Sequence, residues 1–316
     1  MAMVVLYFLV GMGLLYFGSE WMVRGASGLA LSFNIRPVIV GLTVVAFATS
    51  APELVVSLIA AIKGSSGVSL GNILGSNVAN LGLVMGLSAV ASPLSVEPNL
   101  LRREMPFMLM VTFLFWILCM DGRIGRLDGI ILVGCLGAFL TMSVLTAKSP
   151  TSKIVVRDRL GKKTGIWYLF QLSAGTLGLV AGANWMVRSA ILMARALGLS
   201  EVFIGLSIVA VGTSLPELAT SVVAGIKGES DISIGNVVGS NIFNICLVIG
   251  TVGLFHPMTI ESRLLRFEFP ALVVLSCILF VFSSTGKRLN RLEGLFFVLG
   301  FCLFVAISFL FSKGGP

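Results

Sequence analysis

The sequence predicts an all-α, polytopic membrane protein of ten transmembrane helices arranged as two inverted five-helix repeats. Three observations carry that prediction. Of the 316 residues, 57% are hydrophobic and only 11% charged, with a mean hydropathy of +1.03, whereas soluble domains carry about 25% charged residues. Ten apolar runs follow one another between charged or Pro/Gly-rich breaks, and a spanning helix uses roughly 20 such residues. The second half of the chain also repeats the first at a fixed offset of 164 residues.

The runs fall at 2–23, 36–62, 70–92, 105–120, 128–147, 165–187, 202–226, 233–255, 268–284 and 292–311. The first has no basic segment before it and no clean small-residue cleavage site after it, so it reads as a retained span, not a leader. Between the fifth and sixth runs lies the longest polar connection, 148–164, with Lys148, Lys153, Arg157, Arg159, Lys162 and Lys163 against Asp158. It divides the chain into a first repeat at 1–147, a basic loop expected in the cytoplasm, and a second repeat at 165–316. The loop is too short for a folded regulatory module. Placing the N-terminus outside puts fourteen of the 22 Lys and Arg residues inside, so both termini are expected outside the cell membrane.

The net charge of +8 comes from basic residues scattered in ones and twos between apolar runs, apart from the central loop. That is loop charge, and no nucleic-acid partner is expected. The five cysteines are odd in number and lack metal-ligand spacing, so they read as unpaired packing residues.

The repeat is gapless. Gly18 aligns with Gly182, Trp21 with Trp185, Arg24 with Arg188, Lys63 with Lys227 and Glu104 with Glu268. Residues 41–60 match 205–224 at 11 of 20 positions, and 71–86 match 235–250 at 9 of 16. Five spans per half is an odd number, so the two copies enter the membrane from opposite sides. Inverted repeats place a site at the membrane midplane, between the halves.

Of 14 acidic residues, only Glu53 and Glu217 lie deep within long apolar runs. An ionised group there costs on the order of 3 kcal/mol by insertion scales. Protonated glutamates could serve only as interhelical glue, but their recurrence at equivalent positions, within the best-matched segment, points to function. The flanking segments read Thr49-Ser50-Ala51-Pro52-Glu53 and Thr213-Ser214-Leu215-Pro216-Glu217. Pro52 and Pro216 have no N–H for the carbonyls of Ala48 and Gly212, so each helix is expected to bend or break beside its carboxylate. Thr49 shares a helix face with Glu53, and Thr213 with Glu217. Ser50 with Ser57, and Ser214 with Ser221, form a neighbouring stripe.

The next span of each half carries a second polar stripe. Gly75-Ser76-Asn77-Val78-Ala79-Asn80 and Gly239-Ser240-Asn241-Ile242-Phe243-Asn244 put Ser76 with Asn80, and Ser240 with Asn244, on single faces. Gly71, Gly75, Gly235 and Gly239 form small-xxx-small seams that allow close backbone approach. The candidates offer carboxylate, amide, hydroxyl and carbonyl oxygens, with neither His nor Cys, which argues against zinc, copper or iron. Such oxygens suit Ca²⁺, and Na⁺ of similar radius, better than the smaller, reluctantly dehydrated Mg²⁺.

On these motifs the chain resembles the cation/Ca²⁺ exchanger superfamily, in its prokaryotic sodium/calcium exchanger branch. The doubled signatures look like that family's two α-repeats, and the ten-span plan extends the resemblance over essentially the whole chain. The resemblance implies an antiporter exchanging Na⁺ for Ca²⁺, with those ions as substrates, a lipid bilayer around it, no cofactor and no obligate protein partner. It assigns Ca²⁺ to Glu53, Glu217 and the carbonyls of Thr49 and Thr213. Sodium sites would use Ala46, Thr49, Ser50, Ser76 and Glu217 on one side. On the other they would use Ala210, Thr213, Ser214, Ser240 and Glu53. Asn80 and Asn244 would line the centre. Some relatives carry Asp at the position of Asn244, so this chain has two carboxylates where theirs have three. Proton-coupled relatives tend to carry Glu where Asn80 and Asn244 stand, which favours sodium as the driving ion. Glu217 is not Asp, unlike the potassium-dependent branch.

The expected mechanism is alternating access: cations neutralise the glutamates and permit rearrangement, while bare charges resist occlusion. The glycine-rich runs at 2–23 and 165–187 are the candidates to slide across the rest. Protons should compete with cations for the glutamates. A proton/calcium exchanger, or one of broader divalent selectivity, is the alternative within transporters; calcium flux driven by pH alone would reveal it. A channel would need no counter-ion on the far side. An intramembrane aspartyl-type hydrolase would need acids sharing a water, and the Gly-x-Gly-Asp signature of presenilin-like proteases is absent. His256, Trp21, Trp185, Arg24 and Arg188 lie near span ends and read as interfacial anchors.

Overall fold

Where no water reaches the backbone, its N–H and C=O groups must bond within their own segment, and the chain accordingly folds into helices almost throughout. The computed structural model describes residues 2–147, 165–196 and 210–313; the basic loop 148–164 and the start of the seventh run lie outside the described residues. We number the helices α1 (Ala2–Ser32), α2 (Pro37–Thr49), α3 (Ala51–Ile62), α4 (Ser66–Ala91), α5 (Met105–Leu118), α6 (Arg126–Leu145), α7 (Gly165–Ala196), α8 (Ala210–Thr213), α9 (Leu215–Ile226), α10 (Ser230–Phe255), α11 (Leu264–Gly286) and α12 (Arg291–Lys313).

Seven of these, α1, α4, α6, α7, α10, α11 and α12, are long and apolar enough to cross a membrane. The pair α2 and α3 makes an eighth if it is counted as one span bent by 43°. The chain is thus a multi-pass, mostly helical membrane protein. Several helices outrun their expected bounds. α1 continues past residue 23 to Ser32, because its polar residues find partners: Glu20 accepts from Arg24 at 2.6 Å and from Lys227 at 2.9 Å. At 1.5 Å per residue its length is about 46 Å, so it must tilt to fit a core of about 30 Å.

α1 and α7 pack antiparallel along glycines. Gly11 meets Gly182, Gly18 meets Leu179, and Gly25 meets Leu172. A Cβ on Gly175 would stand 2.5 Å from the Met22 nitrogen. α4 and α10 are the most deeply buried spans and supply much of the main core, including Leu70, Ile73, Leu74, Val237, Val238 and Ile242. Gly235 and Gly239 admit α2, whose Val38 and Leu42 carbonyls approach them.

Two short antiparallel strand pairs join the halves. Leu94–Ser95 pairs with Arg288–Leu289, and Arg123–Ile124 pairs with Met258–Thr259. The connections before and after α5 lie at its opposite ends, so the two pairs mark the two faces of the molecule. α9 ends at the first face, where Gly225 meets Leu94. The turn after α3 lies at the other, where Gly67 meets Glu261. α3 and α9 therefore run in opposite directions. At the first face, Arg36 donates to both carboxylate oxygens of Glu97, at 3.0 and 2.9 Å, and to the Thr146 carbonyl at 3.2 Å. Its guanidinium also stands 3.8 Å from the fully buried Glu104.

Candidate ion-binding site

The broken helices set the site. Ser50 ends α2 with φ −82° and ψ 0°, and Ser214 ends α8 with φ −86° and ψ 5°. Pro52 and Pro216 then sit in the first turn of the following helix, where a missing N–H costs nothing. The break thus falls at the serine, two residues ahead of each proline. Glu53 and Glu217 occupy the first turns of α3 and α9, where the helix dipole favours negative charge.

Both glutamates are completely buried, and their charges lie close enough to interact. Each faces hydroxyls from both halves: Glu53 faces Ser76 and Thr213, and Glu217 faces Thr49, Ser50 and Ser240. Ser50 Oγ donates to Glu217 Oε1 at 3.5 Å. Thr49 Oγ1 lies 3.4 Å from Ser240 Oγ, and Ser76 Oγ lies 3.4 Å from Thr213 Oγ1. This exchanges the two serines relative to the expected sodium-site division, which had grouped Ser76 with Thr49 and Ser240 with Thr213. The physical reason is the antiparallel packing of the halves. It brings α10 against α2 and α4 against α8, so each serine meets the threonine of the opposite repeat.

Ala46 is buried, and its carbonyl accepts the Ser50 N–H at 2.9 Å and the Thr49 hydroxyl at 3.3 Å. Ala210 opens α8; its side chain is outside the described set. Ser214 Oγ is buried without a hydrogen-bond partner among the described residues. Asn80 and Asn244, one turn beyond Ser76 and Ser240, are also fully buried. Each begins a π-helical turn, Asn80–Val84 and Asn244–Ile249, a local widening common at functional sites.

Four further asparagines organise the centre. Asn72 donates to Ser57 Oγ at 2.9 Å and to the Glu53 carbonyl at 3.4 Å. Asn236 makes the equivalent bonds to Ser221 and Glu217 at 3.0 and 3.5 Å. Asn236 Oδ1, 3.1 Å from Thr49 Oγ1, is a second acceptor within reach of its single hydroxyl hydrogen. Ser57 and Ser221 thereby clip α3 to α4 and α9 to α10, instead of continuing the ion-facing stripe. Asn77 and Asn241 bond across the halves to Asn244 and Asn80. Asn72 and Asn236 went unmarked in the sequence, although they recur at the repeat offset one helical turn before Ser76 and Ser240.

Among the described residues, both Glu53 oxygens, Glu217 Oε2, Asn80 Oδ1 and Asn244 Oδ1 are buried without a hydrogen-bond partner. A buried acceptor left unpaired costs about 1–3 kcal/mol, more when charged. So many oxygens, gathered on two pairs of facing helices, fit a hard cation bound through oxygen alone.

Residues 3–145 and 167–310 match the family described as sodium/calcium exchanger protein. The sodium/calcium exchanger MaX1 of Methanosarcina acetivorans is 31% identical over 96% of this chain and 98% of its own length. The inner membrane protein YrbG of Escherichia coli is 32% identical, over 96% of each chain. A structure of the sodium-calcium exchanger NCX_Mj soaked with Na⁺ and Ca²⁺ superposes with a TM-score of 0.85 at 32% identity, covering 96% of this chain and 98% of that one.

Proposed function

Because the chain belongs to the sodium/calcium exchanger family, a family of antiporters and not of enzymes, we propose that it exchanges Na⁺ for Ca²⁺ by alternating access at Glu53 and Glu217. One observation carries the reading: two fully buried carboxylates, each flanked by hydroxyls from both halves, with three of their four oxygens left without a hydrogen-bond partner among the described residues.

In this reading Ca²⁺ takes Glu53, Glu217 and the carbonyls of Thr49 and Thr213. One sodium site combines Ala46, Thr49, Ser50, Ser240 and Glu217; the other combines Ala210, Thr213, Ser214, Ser76 and Glu53. Asn80 and Asn244 line the centre. Two cation-neutralised glutamates can be occluded, whereas two bare charges cannot leave water without a cost of several kcal/mol each. The glycine-lined pair α1 and α7 slides across the remaining helices to change access.

The same reading gives ten spans in two inverted five-helix repeats, with 148–164 as a cytoplasmic loop and both termini outside the cell membrane. The opposed directions of α3 and α9 and the two interlocked strand pairs support it. The test is calcium uptake into proteoliposomes under an imposed sodium gradient. Uptake that follows the gradient and disappears in Glu53→Gln and Glu217→Gln is expected; normal transport by both variants would overturn the site.

A further inference from the structure

We propose that Asn77 and Asn241 are positioning residues, which orient the amides of Asn244 and Asn80 so that each presents its oxygen, not its nitrogen, to the bound cation. The inference rests on the ion-site reading above. An Asn side chain ends in an oxygen and an NH₂ of similar shape but opposite polarity. It serves as a cation ligand only when something fixes which end faces the ion.

Here the fixing groups come from the opposite half. Asn80 Nδ2 donates to Asn241 Oδ1 at 3.2 Å, and Asn244 Nδ2 donates to Asn77 Oδ1 at 3.0 Å. All four side chains are buried. With both NH₂ groups drawn across the interface, Asn80 Oδ1 and Asn244 Oδ1 are the ends left without a partner among the described residues. Both lie on the helix faces that carry Ser76 and Ser240.

Of the two orienting residues, Asn241 is itself held. Asn241 Nδ2 donates to the Asn77 backbone carbonyl at 3.5 Å, and a carbonyl only accepts, so reversing Asn241 would set oxygen against oxygen. Reversing Asn77 alone would set its NH₂ against that of Asn244. The Asn241–Asn80 pair is therefore fixed in polarity by the Asn77 carbonyl, the Asn77–Asn244 pair holds its two amides in matched polarity, with Asn77 Nδ2 left without a partner among the described residues, and the crossed pairs couple the two repeats there.

The test measures initial calcium uptake against calcium concentration in proteoliposomes carrying the full chain. Losing one such bond weakens the ligand by about tenfold, so Asn77→Ala should raise the half-saturating calcium concentration by that factor and leave the maximal rate nearly unchanged. Asn77→Asp keeps an acceptor for Asn244 and should restore wild-type affinity. The decisive arm is Asn244→Asp, which has oxygen at both ends and no polarity to set. In that background Asn77 can only donate to the carboxylate and sets no polarity, so Asn77→Ala should shift half-saturation by clearly less than it does beside Asn244. An equal shift in both backgrounds overturns the proposal, since Asn77 would then act by packing or as a ligand itself. If Asn77→Ala does not fold, Asn241→Ala with and without Asn80→Asp gives the same test. Failure of the underlying site shows separately, as unchanged half-saturation in Asn244→Ala.

Discussion

Thr49 Oγ1 and Ser240 Oγ lie 3.4 Å apart although 191 residues separate them, and Ser76 with Thr213 repeats the contact at the same distance. Each glutamate is thus served by a mixed set of hydroxyls. Glu217, of the second repeat, faces Thr49 and Ser50 of the first together with Ser240 of its own.

That grouping predicts which substitutions couple. Ser240→Ala and Ser50→Ala share Glu217, so their effects on sodium half-saturation should be non-additive by about 0.5–3 kcal/mol. Ser240→Ala with Ser214→Ala should be closer to additive. A double-mutant cycle on sodium-activated calcium efflux checks both.

Removing one charge from the buried pair should cost far more. Glu217→Gln leaves an amide of the same shape with half the acceptor capacity, and a charged hydrogen-bonding group is worth about 1.5–3 kcal/mol. Calcium affinity should fall by roughly 10- to 150-fold, measured by isothermal titration in detergent. Unchanged affinity would exclude Glu217 as a ligand.

Acid should inhibit competitively. A proton and a cation neutralise the same carboxylate oxygens, so lowering the pH removes the negative charge that holds Ca²⁺, and uptake should fall. Raising calcium at the lower pH should restore the maximal rate. Inhibition that excess calcium does not relieve would place the titrating group elsewhere.

The glycine seam gives a packing test with its own control. A Cβ on Gly175 would stand 2.5 Å from the Met22 nitrogen, while one on Gly13 would meet nothing within 4 Å. Gly175→Val should destabilise the α1–α7 pair by about 1–3 kcal/mol and depress transport. Gly13→Val should do neither, as read by thermal unfolding and calcium flux.

Arg36 is 7% exposed and holds Glu97 in a two-pronged pair, with Glu104 3.8 Å away. Arg36→Met leaves these carboxylates without their cation. Breaking a buried pair from one side costs about 3–5 kcal/mol, so the melting temperature should drop clearly. Arg36→Met combined with Glu97→Gln should recover part of it.

The residues of the candidate site were legible in the sequence where local spacing fixes a helix face. Asn80 and Ser76 fall four residues apart on one helix face, whereas the break at Ser50 turns Thr49 toward Ser240 and Glu217 while Glu53 faces Ser76 and Thr213. Helix ends were read less well. α1 runs on through Glu20 and Arg24, because Lys227 from a distant turn satisfies the acid. The prolines marked the breaks in α2–α3 and α8–α9, but the chain turns at Ser50 and Ser214, since proline is best placed inside the first turn of the helix that follows.

Composition alone put this chain in a bilayer, the gapless repeat pointed to a doubled architecture, and two acids in apolar surroundings marked the candidate site. Hydrophobicity, periodicity and the expense of burying charge are all written along the chain. Which threonine of one repeat meets which serine of the other, and how Asn77 and Asn241 meet Asn244 and Asn80, depended on the packing of one half against the other. Those contacts join residues more than 130 positions apart, and helical spacing, which governs neighbours three and four residues away, says nothing about a partner met only after the two halves close on each other.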